Sequence, residues 1–456
     1  MNLLNNAMSG LNASMAALQV MSNNTSNAMV PGYSRQQVLL SSVGGGAYGA
    51  GNGVSVDGVR RISDQYQVMQ LWRTGSDVGF AGVKQSYAGQ LEQLMAADSN
   101  NLSTGLDHLF AAMNAAMEKP NDPALRQAVL NEANGVAQRF NSIASGLDSQ
   151  EQQIVGQTQA SIKEINTLLE KIARLNEDIA ADGAAKVPSA SLLDNRDAAI
   201  AELSSLMDIR VVMDDKGLAN ISLSQGQPLL SGIVPATLKG VTDPANPKQI
   251  NLELSFGQSQ FKLQETGGQL GALLNYRDTN LKQSRAFLDE LATQLAQQMN
   301  EIQAKGTDLA GNKATQAIWH LDASNPAGSL RLNQGLNSGD LAFGLDGTPG
   351  DNSNLKAFVA LANQELDFAS MGSRATLGNA YAGKVGELGS ISRQAQQENK
   401  TALALQKEAQ SQWASTSGIN LDEEGVNLIV YQQSYQANAR VIATADRLFQ
   451  SLLDSI

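Results

Sequence analysis

From Met1 to Ser34 the chain carries no Asp, Glu, Lys or Arg, and the first charged side chain is Arg35. A helix without charge has no face designed for water alone, so a long helix here must be covered by protein. The order within it is a heptad: Leu4, Met8, Leu11, Met15 and Leu18 recur at spacings of 4, 3, 4 and 3, the apolar seam of a coiled coil. A second stripe of small residues, Ala7, Gly10, Ser14 and Ala17, runs beside it. Asn5, Asn6, Asn12 and Gln19 supply hydrogen bonding without charge.

The other end carries a matching pattern. Leu428, Tyr431, Tyr435, Asn438, Ile442, Ala445, Phe449, Leu452 and Ile456 follow alternating spacings of 3 and 4 to the last residue. Asn438 falls on a core position, where a polar side chain commonly fixes register. Asn420 reads as the N-cap of this helix, and Asp422, Glu423 and Glu424 as capping acids in its first turn. Neither end can stabilise itself as an isolated helix, because ordering the backbone costs more than one apolar seam returns. The two ends are expected to be mobile in the monomer and to become helical by pairing with each other inside a larger assembly.

Between the ends the pattern is nested. Turn formers crowd Asn23 to Arg35, and two strand-like runs, Gln37 to Val43 and Val54 to Arg60, suggest a long hairpin. Helical periodicity returns near Lys84 and Gly105, and runs from Pro123 to about Ala181. A helix over Ser191 to Met207 gives way to strands at Arg210 to Met213, Ala219 to Leu223, Ile250 to Phe256 and Gln260 to Leu263. Gly267-Gly268 opens a helix to about Lys305, the stretch 306–371 is rich in Gly, Asn, Asp and Pro, and a long helix returns from Arg374 to Ser415. The expected fold is therefore mainly α with a smaller β domain. Residues 1–36 and 416–456 form a terminal coiled-coil domain; 37–206, 268–305 and 372–415 a helical rod; 207–267 and 306–371 an outer β-containing domain.

Composition argues against most chemistry. With 456 residues, 32 Lys plus Arg against 44 Asp plus Glu give a net charge of -12, which disfavours nucleic-acid binding, and no apolar run suggests membrane insertion or a cleavable signal peptide. Zero Cys and two His remove thiolate nucleophiles and most metal sites. His108 and His320 have no His or Cys at ligand spacing. Gly44, Gly46 and Gly49 match a dinucleotide loop formally, yet a strand follows where a helix is required. Asp346, Asp351 and Asn352 lack the frame of a calcium loop, and Asp214-Asp215 and Asp422-Glu423 lie on a turn and a helix start. No catalytic, metal or cofactor site is expected, and the chain reads as structural, not enzymatic.

The segments Ser22-Asn23-Asn24, Ser26-Asn27 and Pro31-Gly32-Tyr33-Ser34-Arg35 resemble the N-terminal signature of bacterial flagellar rod, hook and hook-associated proteins. The stretches Ser417 to Glu424 and Tyr431 to Ile442 are similar to the shared C-terminal ending of that superfamily. Leu192-Leu193-Asp194-Asn195-Arg196-Asp197, and Gly267 to Leu274 with Arg277-Asp278, resemble its hook-associated members at the hook-filament junction. Val30 and Gln303 stand where those relatives often have Thr and His. The resemblance implies a junction adaptor that self-associates in a ring, with hook protein on one side and a second junction protein or the filament on the other. It also implies an export chaperone and secretion without a cleavable signal peptide. The motif residues it singles out are Asn23, Asn24, Asn27, Pro31, Gly32, Tyr33 and Arg35; the assembly residues are Leu4, Met8, Leu11, Met15, Leu18, Leu428, Tyr431, Tyr435, Asn438, Ile442, Phe449 and Leu452. A hook or distal-rod protein is the alternative, and a secreted hydrolase the more distant one.

Overall fold

The computed structural model describes residues 2–44, 51–182, 189–243 and 246–454. Helix α1 (Asn2–Ser26) leads into a hairpin of β1 (Gln36–Ser42) and β2 (Val54–Arg61), with a bulge at Leu39/Leu40. Three helices follow, α2 (Gln65–Ala96), α3 (Leu102–Ala116) and α4 (Pro123–Asp182). Asp64 caps α2 by accepting from the amides of Tyr66 and Gln67, and Asn101 caps α3 through the amide of Thr104. At 60 residues, α4 is about 90 Å long.

Helix α5 (Ala190–Leu206) turns back along α4. Then β3 (Ile209–Met213), β4 (Ala219–Leu223), β5 (Pro228–Ser231) and β6 (Val234–Pro235) make one antiparallel sheet, and β7 (Thr237–Asp243), β8 (Asn246–Phe256) and β9 (Ser259–Leu263) a second. The chain re-enters the rod as α6 (Gly268–Tyr276), one π-helical turn at Arg277–Leu281, and α7 (Lys282–Lys305). Two small hairpins follow, β10 (Trp319–His320) with β11 (Arg331–Leu332), which bracket α8 (Pro326–Ser329), and, after α9 (Ser353–Ala360), β12 (Leu366–Phe368) with β13 (Ser373–Ala375). Helices α10 (Leu377–Ser417) and α11 (Leu421–Leu453) bring the chain home.

Two large apolar cores share α4. The first gathers Leu91, Leu109, Phe140, Leu291 and Tyr381; the second gathers Trp72, Ile165, Leu203, Leu229 and Leu270. The segments 207–267 and 306–371, expected together in one outer domain, pack into different cores. Strands β3 to β9 close over the second, whereas Trp319, Phe343, Phe358 and Phe368 belong to the first.

The reason is polar. Arg126, 2 % exposed, donates to the carbonyls of Pro120 at 2.6 Å, Ser338 at 3.0 Å and Leu341 at 2.8 Å, and lies 4.3 Å over the Phe343 ring. Gln303 donates to the Asp340 carbonyl and accepts from the Ala342 amide, while Asn354 donates to the carbonyls of Ile302 and Ala342. Side chains thus satisfy backbone groups that regular structure would otherwise satisfy, and a loop-like sequence becomes a packed cover.

The β segment leaves and returns at one point, where the Asp208 amide donates to the Thr266 carbonyl at 2.7 Å. Gly268 has a φ of +54°, and a Cβ built on it would lie 2.5 Å from the Leu206 carbonyl carbon and the Met207 amide nitrogen. Both contacts are backbone, so nothing can rotate away. Gly268→Val is expected to destabilise the second core by about 3 kcal/mol or more, read as a lowered midpoint in urea unfolding. An unchanged midpoint would show that this crossing tolerates a side chain.

Candidate assembly interface

Helices α1 and α11 pack antiparallel. Asn438 lies against Gly10, where a Cβ would stand 2.8 Å from the amide group; the Ser14 hydroxyl donates to the Ser434 hydroxyl at 3.2 Å; and Asn24 Nδ2 donates to Glu424 Oε2 at 3.1 Å. Close approach at Gly10 explains why this position has no side chain. The two ends of the chain do meet, but the face of α1 that meets α11 is not the one expected. Ala7, Ser14 and Ala17 are buried, together with Ala13, Val20 and Met21. Leu4, Met8 and Met15 are 39 %, 50 % and 52 % exposed, and Leu11 and Leu18 are half-buried. At about 100° per residue the two stripes lie about 100° apart on the helix. Small residues take the inner seam because they let two backbones approach closely, which leaves the large apolar seam facing outward.

On α11, Tyr431 packs with Ala17, Val20 and Met21, and Tyr435, Asn438 and Ile442 are half-buried. Leu428 and Phe449 are exposed, as are Ile429, Val430 and Leu448. The side chains of Leu452 and Ile456 lie outside the described residues, as do Gly46 and Gly49.

At the base of the pair stands a polar clasp. Glu424, 1 % exposed, accepts from Asn24 and from Arg35 Nε at 2.8 Å, and Arg35 Nη1 pairs with Glu423 at 2.8 Å. Asn24 also donates to the Gln36 carbonyl, and its Oδ1 accepts from the Gln36 amide and the Tyr33 hydroxyl. Asn420 caps α11 through the Asp422 amide, but Glu423 and Glu424, expected as capping acids, are partners of Arg35. The shift of role has a simple cause: in the fold the first turn of α11 abuts the one cation of the N-terminal motif.

A second group ties this clasp to the rod. Asp194 accepts from the Ser34 amide at 3.2 Å and from Arg61 at 3.1 Å, and Arg61 also pairs with Asp197 at 2.7 Å. Trp72 donates to the Asp197 carbonyl, and buried Arg196 to the Gly217 carbonyl. Burial pushes the Asp194 carboxyl up, against the Ser34 and Arg61 hydrogen bonds. Two motifs some 160 residues apart are thereby one structure. Of the other motif residues, Asn23, Pro31 and Gly32 are exposed, while Asn27 and Tyr33 are half-buried. Asn23, Asn27 and Tyr33 line a cleft of about 750 Å³ between α1 and the start of α5. Glu424 as an acceptor, Ser434 and Asp194 are the functional residues that spacing alone did not single out. Ser434 lies between Tyr431 and Asn438 on the same seam, which was the available signal.

The remaining candidates serve local structure. Asp351 accepts from the amides of Ser353, Leu345 and Asp346, and hydrogen bonds from Ser353 and Leu345 hold its carboxyl well below the usual range. His108 stands 3.9 Å from Glu132, both exposed, and exposed His320 lies on β10. Asp214 accepts from the amides of Lys216 and Leu218 within its turn. Among the described residues no group of three His, Asp or Glu could hold a metal ion, and no helix is long and apolar enough to cross a membrane.

The family model of the helical domain of flagellar hook-associated protein FlgK matches residues 88–319, half of the chain. The chain belongs to the FlgK family. The model of the C-terminal part of the flagellar basal-body rod proteins FlgE, FlgF and FlgG matches residues 410–455, which include α11. Flagellar hook-associated protein 1 of Salmonella typhimurium is 28 % identical over 556 aligned positions, covering 99 % of each chain. The protein of that name from Bacillus subtilis is 23 % identical and covers 99 % of this chain and 98 % of its own. The flagellar hook junction protein FlgK of Burkholderia pseudomallei superposes with a TM-score of 0.69 at 17 % identity, covering 76 % of this chain and all of that one, which shows the shared fold. FlgK proteins are structural proteins of the flagellum, and this one is a part of that organelle, in company with other axial proteins.

The Tyr33 phenol is pushed up to about 12, first by burial and then by the nearby carboxylates of Asp194 and Glu424. Between its ordinary 10 and about 12 the unfolded chain releases a proton that the folded chain keeps, so stability falls as pH rises through that window. Thermal melts from pH 9 to 11 are expected to show a loss whose slope is shallower in Tyr33→Phe. Equal slopes would mean that the phenol is free of the clasp.

Proposed function

We propose that this chain is the structural adaptor that joins hook to filament in the bacterial flagellum, assembling as a ring through its paired terminal helices. One observation carries the reading: Leu4, Met8 and Met15 of the large apolar seam of α1 stay exposed although α1 is packed against α11. The molecule as a whole exposes 23449 Å², against about 16,500 Å² for a compact monomer of its mass. An elongated shape with unspent apolar surface suits a subunit whose neighbours complete its burial.

In this reading 1–36 and 416–456 form the polymer core, with Leu4, Met8, Leu11, Met15, Leu18, Leu428 and Phe449 turned toward neighbouring copies. The rod and the two β-containing segments lie outside that core. Hook protein borders the ring on one side and a second junction protein or the filament on the other. An export chaperone holds the unassembled chain, which leaves the cell without a cleavable signal peptide. The role is mechanical, not enzymatic.

Met15→Asp is the direct test, because the side chain is half exposed in the free chain. The variant is expected to stay soluble with an unchanged melting temperature, and to lose incorporation into isolated hook-basal bodies by about tenfold or more. Normal incorporation would remove the seam from the interface. Labelled protein is expected as a narrow band at the distal end of the hook, and deletion of the gene is expected to leave hooks without filaments. A band along the rod or hook, or normal filaments after deletion, would overturn the junction assignment.

A further inference from the structure

The far end of the β1–β2 hairpin is held to the first half of α1. Asn6 Nδ2 donates to the Gly51 carbonyl at 3.0 Å, and the Val54 amide donates to the Ser9 hydroxyl at 3.1 Å. Between them Gly53 has a φ of +103°, and a Cβ built on it would collide with that hydroxyl. Across the hairpin the Asn52 amide donates to the Val43 carbonyl, and the Val43 amide to the Gly53 carbonyl. The peptide unit joining Asn52 to Gly53 is different. Among the described residues neither the Asn52 carbonyl nor the Gly53 amide makes a hydrogen bond, and Asn52 is exposed. One unheld link thus sits between two pinned ones.

We propose that Asn52-Gly53 is a self-modification site, at which the chain slowly converts its own side-chain amide to an acid and so releases the hairpin from α1. Gly has no Cβ to hinder approach to its amide nitrogen, and that nitrogen is unengaged here. It attacks Cγ of Asn52; the Cγ–Nδ2 bond breaks, and the amide proton leaves with Nδ2 as ammonia. Water then opens the five-membered imide. Attack at Cγ gives aspartate, whereas attack at the backbone carbonyl gives isoaspartate, whose main chain runs through Cγ and is one carbon longer. The reactants are the chain and water, with no oxidant and no enzyme. Either product places a carboxylate near Asn6 and Ser9, and the first 34 residues contain no Lys or Arg to pair with it. The longer link also shifts Gly53 against a hydroxyl that leaves no room for a Cβ, so the Val54 amide parts from Ser9. A second pair, Asn134-Gly135, supplies the comparison within the same molecule. Asn134 is exposed too, but it lies inside α4, where the helical ladder engages the Gly135 amide. The inference concerns the hairpin alone and does not depend on what the chain assembles with.

Ageing the purified full-length chain in mildly alkaline buffer tests it. Peptide mass spectrometry scores conversion of amide to acid, and a protein isoaspartyl methyltransferase labels the lengthened product. Asn52 is expected to convert about tenfold or more faster than Asn134, because the helical pair must first open. In chain unfolded by urea the two rates are expected to agree within about threefold, since the fold no longer separates them. The Val54 amide of the aged chain is expected to exchange its hydrogen about tenfold faster than that of fresh chain. Asn52→Gln, whose longer side chain closes the ring far less readily, is expected to keep the fresh exchange rate through the same ageing. Equal conversion of Asn52 and Asn134 in the folded chain, aged chain without isoaspartate at position 52, or a Val54 amide indifferent to conversion overturns the proposal.

Discussion

A carboxylate taken out of water must be given donors, and in this molecule that requirement governs how the ends join the body. Glu424 is hidden almost completely, and its donors come from two other parts of the chain, the end of α1 and the loop after it. An unpaired carboxylate at this depth would cost several kcal/mol. Alternative registers of α11 on α1 that leave Glu424 without Asn24 and Arg35 are disfavoured by that amount. The clasp thus selects one arrangement more than it adds net stability, the best-attested use of a buried polar group in a helix pair.

The division of labour on α1 follows from shape. Ala7, Gly10, Ser14 and Ala17 let α11 lie close, and closeness is what brings Ser14 to Ser434 and Asn438 to the Gly10 backbone. The bulky residues then have nowhere to go except outward. The absence of charge over the first 34 residues fits both faces at once, since a Lys or Glu covered by neighbouring protein would need a partner at every contact.

Much of this architecture was legible because helices announce themselves by period. The pairing of the ends, the 60-residue helix and the nested order all follow from 3-4 spacings and caps. Which seam of α1 turns inward was not legible: both stripes have the same period, and the choice depends on volumes across the interface. Strands β5 to β7 were hidden by Pro228, Gly232 and Pro235, which read as breakers yet here sit at strand ends and turns. The 306–371 segment was misplaced because its structure comes from Arg126, Gln303 and Asn354, single polar residues whose partners are remote carbonyls. Periodicity carries no trace of such bonds. Asp194 stood in a recognisable motif, but its partner Ser34 lies 160 positions away.

The stretch of α4 between the two cores would be the natural place for a hinge, since Gln150, Thr158 and Ser161 interrupt its buried apolar face. There the fold supplies cross-links. The Tyr276 hydroxyl donates to Gln150 Oε1 and the Tyr87 hydroxyl to Gln157 Oε1, each at 2.9 Å, with the two rings 5.2 Å apart. Burial raises both phenols above their ordinary range, so they remain protonated donors. Alongside, α2 and α10 run antiparallel past the same level, joined by Gln67 to Thr416, Lys84 to Glu398 and Tyr381 to the Met95 carbonyl. These cross-links begin beside the clasp and end in the first core. An orientation imposed at the base of the terminal helices thus meets a body whose α2 and α10 are cross-linked from beside the clasp to the first core.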